Sequence, residues 1–339
     1  MRMNGRRESG NVDDRRGQRS GGSFGGGLGG NIFGGGGSGN GNGLSILSLI
    51  ISLFSLFKSS KNSGGNKSGG GGCGCLGLIL IIVVIYFLIP KGESGLDLGS
   101  ILNSGLATSE TSYTDSEYTA SDEEEALATF AKQVFAGTED VWTKIFAENG
   151  LTYECPRLVL FTDRVSSGCG AADSSTGPFY CSADQCVYID LSFFMNMRRT
   201  IGADGDFAYA YVIAHEVGHH VQYLLGDLTR IHNQQARSNE KIANQLSVRL
   251  ELQADFYAGV WAYHDNKMFN SLEDGDIEEA INAAQKIGDD YLQKKARGYT
   301  VPESFNHGTS AQRSKWLKKG VQTGNPELGD TFSMDYDRL

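Results

Sequence analysis

The sequence predicts an α+β domain, a small sheet followed by several helices, placed behind one membrane-spanning helix and a disordered tail. Three observations predict it. Charge and glycine are unevenly distributed along the 339 residues, an uncharged apolar run separates the two regimes, and after that run short strand patterns come before long helical ones.

Residues 1–72 hold half of the chain's 46 glycines and carry a net charge of +6, which leaves −16 for residues 91–339 out of a total of −10. Residues 1–43 are rich in Gly, Ser, Asn and Arg and have too little apolar surface to offset the entropy of ordering, so a largely disordered tail is expected there. The 14 residues Leu44–Phe57 are apolar, with serines at 45, 48, 52 and 55 on one helical face. That is too short to span a bilayer and fits an interfacial or helix-pairing segment.

The run at 73–90, CGCLGLILIIVVIYFLIP, has no charge and approaches the ~20 residues of a transmembrane helix. Lys and Arg gather on its N-terminal side. The positive-inside rule therefore predicts a cytoplasmic N-terminus and an extracytoplasmic body held by a single pass. About 70 residues precede the run, which argues against a cleaved signal peptide. Residues 91–125 read as a solvated linker that ends in four acids, Asp122 to Glu125.

The globular body is expected over 126–339. Helical spacing covers 126–146, a buried strand 158–161, and a second strand 187–194 (VYIDLSFF), a candidate edge for pairing with an extended peptide. Helices are expected over 207–225, closed by Gly226, and over 238–264. Asp276 with Glu279 and Thr309 with Gln312 read as capping boxes for two more, the second ending at Gly320. In an oxidising compartment the four cysteines of the body would form two disulfides, Cys169–Cys181 and Cys155–Cys186 among the three possible pairings.

The chemistry-bearing string is Ala214–Gln222, AHEVGHHVQ. His215 and His219, four apart on a helix, leave the same face one turn apart and can bind one Zn²⁺. Glu216 stands where a carboxylate can take a proton from water at that metal. The apolar flanks, Tyr211 to Ala214 and Val217 to Leu225, bury this helix, and buried polar groups need partners, which a metal supplies. A catalytic zinc takes a third protein ligand and keeps one position open. Gln222 and Leu225 exclude the class with a third His on the same helix, which leaves a Glu from a later helix. Glu251 fits, with Asp255 one turn on as the partner of a ligand imidazole. His220 points about 100° away from His219 and reads as a packing residue; His232 is expected in a polar loop and His264 near a helix end that tolerates positive charge, neither with a role in the site.

On several motifs the chain resembles the neutral zinc metallopeptidase family of membrane-tethered bacterial proteins. They are residues 6–17 (RRESGNVDDRRG), 137–142 (GTEDVW), 177–181 (GPFYC), 187–191 (VYIDL), the His215 motif, and 251–259 (ELQADFYAG). The resemblance implies a zincin-like fold of the Glu-ligand type with one zinc per chain. It also implies hydrolysis of peptide bonds with Glu216 as general base, and it makes His307 a candidate donor to the oxyanion. The alternative from another class is a zinc-containing protein that binds a partner at the membrane without cleaving it. A strongly acidic body excludes nucleic acid as the partner.

Overall fold

The computed structural model describes residues 1–17, 118–173 and 176–339. The apolar runs at 44–57 and 73–90, and most of the linker, lie outside the described residues. Among the described residues no helix is long and apolar enough to cross a membrane.

The order of elements is β1 (Val12–Asp14), α1 (Asp122–Glu148), β2 (Arg157–Phe161), β3 (Arg164–Ser167), β4 (Gly170–Asp173), β5 (Phe179–Cys181) and β6 (Cys186–Asp190), then helices to the end. The helices are α2 (Leu191–Thr200), α3 (Asp206–Leu224), α4 (Asp227–Gln235), α5 (Glu240–Phe269), α6 (Asp276–Lys286), α7 (Asp289–Arg297) and α8 (Ser310–Thr323). This is the expected mixture of a small sheet and several helices.

The main sheet runs β1-β2-β6-β5, with β1, β2 and β6 parallel and β5 antiparallel to β6. β2 and β6 are buried along almost their whole length, as their continuous apolar sequences require. β6 is therefore interior, and the expected edge at residues 187–191 is corrected: the edge nearest α3 is β5. The predicted second strand also stops early. Asp190 turns the chain by accepting a hydrogen bond from the Ser192 amide (2.9 Å), so Leu191–Phe194 form the first turn of α2.

The expected disorder of the tail is corrected for its first seventeen residues. They lie against the body and supply β1, which pairs from Val12–Leu158 to Asp14–Leu160. The α-amine of Met1 meets Asp206 at 2.8 Å and Asp276 at 3.2 Å.

The predicted helices stand with shifted ends. α1 begins at Asp122, capped by Ser121, so the acids assigned to the linker form its first turn, where the helix dipole favours them. Asp276 is the first residue of α6 and not its cap; its side chain accepts from the Glu273 amide instead. The Thr309–Gln312 capping box is present, and α8 continues past Gly320 to Thr323. One core joins these helices to the sheet, with Trp142, Phe207, Phe256, Trp261 and Trp316 buried in it.

Of the two expected disulfides, Cys169–Cys181 is formed and Cys155–Cys186 is not. The reason is placement. Cys186 faces the small cluster of Val159, Phe161 and Tyr188, whereas Cys155 is exposed in a hollow beside Glu139 and Thr143 of α1.

Candidate metal centre

α3 and α5 cross at the site. Their approach is close because residue 218, inside the His motif, is glycine; a Cβ there would lie 3.0 Å from the Ala254 carbonyl oxygen. That contact brings Glu251 and Asp255, one turn apart on α5, to the face of α3 that carries His215 and His219.

His215 Nε2 lies 3.2 Å from Glu251 Oε2, and His219 Nε2 lies 3.5 Å from Glu251 Oε1. One ligand atom from each of the three residues falls within 4.8 Å of the others, the separation a single ion can bridge. The opposite nitrogens are both tied. His215 Nδ1–H donates to Asp255 Oδ1 at 2.9 Å, the relation expected of Asp255 from its spacing. His219 Nδ1 meets Gln222 Oε1 at 2.9 Å. The amide of Gln222 is oriented by donating to the Leu250 carbonyl (2.7 Å) and to Gln253 Oε1 (3.0 Å), so its oxygen accepts and His219 donates from Nδ1. Both imidazoles thus turn Nε2 toward the point that Glu251 faces.

The electrostatics ask for a cation there. Burial opposes a charged His215, yet Asp255 and Glu251 carry its pKa up to about 10. Burial likewise opposes an ionised Glu251, but His219, His307 and His215 hold it well below the usual carboxylate range. Two imidazole nitrogens and a carboxylate oxygen in this arrangement suit zinc.

Behind the ligands lies a group that sequence reasoning missed. Arg313 of α8, fully buried, donates from Nε to Asp255 Oδ2 (2.8 Å) and from Nη2 to Asp255 Oδ1 (2.9 Å). Tyr211 adds a hydrogen bond to Asp255 Oδ1 at 2.5 Å. Asp255 is thus held from three sides while it orients His215. A signal existed: Arg313 shares the spacing of Trp316, Leu317 and Gly320 on the buried stripe of α8. Gln222 had one too, since 215, 219 and 222 lie on one helical face.

Glu216 is buried on α3 beside His215. His307 belongs to the same locality, since Glu251 raises its pKa against the effect of burial. Its loop is clamped by Asp289, whose Oδ2 accepts from the amides of Asn306 (2.8 Å), His307 (2.7 Å) and Gly308 (3.0 Å), while Oδ1 lies 3.4 Å from His307 Nδ1. His220, read as a packing residue, bonds Tyr180 OH (2.9 Å) and the Glu154 carbonyl (2.6 Å), and burial pushes its pKa down to about 4. It joins α3 to the edge strand β5 and takes no part in the ligand set. His264 donates to the Gly324 carbonyl at the end of α8, and His232 lies within α4 rather than in a loop.

Comparison with known proteins agrees with this chemistry. Residues 56–332 match the family described as "Putative neutral zinc metallopeptidase". The uncharacterized protein YpfJ of Escherichia coli (strain K12) is 45% identical over 272 residues, covering 80% of this chain and 93% of its own length. The uncharacterized protein Rv2575 of Mycobacterium tuberculosis (strain ATCC 25618 / H37Rv) is 45% identical over 191 residues, 53% of this chain and 64% of its own. No solved structure matches. The match over most of the chain, together with the His215, His219 and Glu251 cluster, shows that this protein belongs to the neutral zinc metallopeptidase family.

Proposed function

We propose that the protein is a membrane-associated zinc peptidase of the zincin-like, Glu-ligand type, with one zinc per chain held by His215, His219 and Glu251. The observation that carries the reading is the convergence of two Nε2 atoms on one carboxylate, each fixed by a partner at Nδ1. Bound there, zinc supplies a Lewis acid and lowers the pKa of water toward ~7. Glu216 takes the proton of the attacking water and returns it to the leaving amine. His307, steadied by Asp289, donates a hydrogen bond to the oxygen that gains charge. Asp255 and Gln222 keep the two ligand imidazoles in their required tautomers. An extended peptide pairs with the outer edge of β5, whose own Tyr180 is tied to α3 through His220. Membrane association rests on the apolar run at 73–90.

The test is zinc content and casein cleavage by the full-length protein in detergent, with Glu216→Gln beside it. About one zinc per chain in both proteins, with cleavage lost only in the variant, is the expected result. Zinc in both and cleavage in neither would favour a non-proteolytic binding role, and no zinc in either would reject the metal site.

A further inference from the structure

The body is built to receive the N-terminal segment. Asp265 of α5 has a side chain only 1% exposed, and its partner is Arg6, with Nη2 to Oδ1 at 2.6 Å and Nη1 to Oδ2 at 3.2 Å. A carboxylate withdrawn from water needs a countercharge, and this one comes from the tail. The body also leaves room for it. Residue 137 of α1 is glycine, and a Cβ there would lie 2.5 Å from Arg6 Nη2 and 2.7 Å from Asp265 Oδ1. The Arg6 guanidinium stacks 3.9 Å over the Phe269 ring. Buried Glu139 accepts from Ser9 Oγ (2.7 Å) and pairs with Arg7 Nη2 (2.9 Å), and Asn11 donates to the Pro156 carbonyl. β1 then covers the edge of β2 that would otherwise be bare.

One folded unit cannot have its parts on two sides of a bilayer. A single pass at 73–90 would place residues 1–17 and 118–339 on opposite sides, away from these contacts. We propose that residues 1–17 and the body occupy the same side of the membrane. The inference is independent of whether the site cleaves peptides.

The test uses the full-length chain in its own membranes. A protease recognition sequence is inserted after Arg19 in one variant and after Gly105 in another, on either side of the apolar runs in the sequence. Each is exposed to protease in right-side-out spheroplasts and in inverted vesicles, with a detergent-opened sample in which both sites are cut. The expected result is that both sites are cut in the same preparation and that both are spared, to below about a tenth, in the other. Cutting of one site in each preparation would overturn the proposal. As a separate check on docking, Arg6→Leu is expected to lower the melting temperature of the detergent-solubilised chain, and the further change Asp265→Leu to recover part of the loss. An unchanged melting temperature for Arg6→Leu would remove the basis of the inference.

Discussion

Replacing Arg313 with methionine removes a charge and its hydrogen-bond donors while keeping much of the side chain's bulk. The guanidinium and Asp255 are 3% and 0% exposed and meet through two hydrogen bonds of 2.8 and 2.9 Å. Removing one partner of such a pair costs about 3–5 kcal/mol, because the other charge stays buried without compensation. Tyr211 and His215 continue to bond Asp255, so the lower end, about 3 kcal/mol, is expected. For a domain of this size that is a fall of roughly 6–12 °C in melting temperature. The metal provides a second readout. Asp255 with its support lost holds His215 less firmly, and disturbing such an outer partner weakens metal binding by about 10–100-fold. Thermal unfolding and competition with a chelator of known zinc affinity measure the two effects. The double variant Arg313→Met with Asp255→Asn is expected to regain stability and not zinc affinity. Lowered stability with unchanged zinc affinity in Arg313→Met would refute the positioning role, and unchanged stability would refute the buried-pair argument itself.

Three further outcomes are expected. Glu216→Gln keeps its zinc and loses about 10²–10⁴ in kcat, read from peptide cleavage beside metal analysis. His307→Leu lowers kcat by about 10²-fold with little change in KM, if its hydrogen bond forms only as charge develops on the substrate oxygen; a rise in KM alone would assign it to substrate binding. Asp190→Asn raises stability at pH 7. Asp190 Oδ1 caps α2, but Oδ2 is buried with no partner among the described residues, and burial pushes its carboxyl above the ordinary 3.8. A raised carboxyl pKa means that the folded state holds the proton more tightly, so the contribution of this group is full below the unfolded value and is lost as pH rises through the folded one. Asparagine keeps the cap without the charge, so the variant's advantage in denaturant midpoint is expected at pH 7 and absent near pH 3.

The parts of the fold legible in the sequence are those in which a segment's own residues decide its structure. The apolar flanks of the His motif specify α3, and the Thr309–Gln312 pair specifies the start of α8. The spacing of Glu251 and Asp255 places both on one face of α5, and they reach the same imidazole from different ends. The errors came where distant residues decide. Leu191–Phe194 is apolar enough for strand or helix, and only the Asp190 cap selects the turn into α2. The tail looked disordered because composition counts what a segment can bury by itself. Arg6 is ordered by Asp265, 259 positions away, and no local pattern announces that pairing. Arg313 escaped for the same reason, since an arginine inside an apolar stripe acquires its meaning from the carboxylate opposite.

The two edges of the main sheet have different fates. On one side β1, supplied by the protein's own beginning, occupies the hydrogen-bonding positions of β2; on the other, β5 offers its outer edge. One edge is thus sealed by the chain itself, while the other carries no further strand among the described residues. Proteolytic trimming of the first seventeen residues would unseal β2 and expose a hydrophobic edge to strands from other copies.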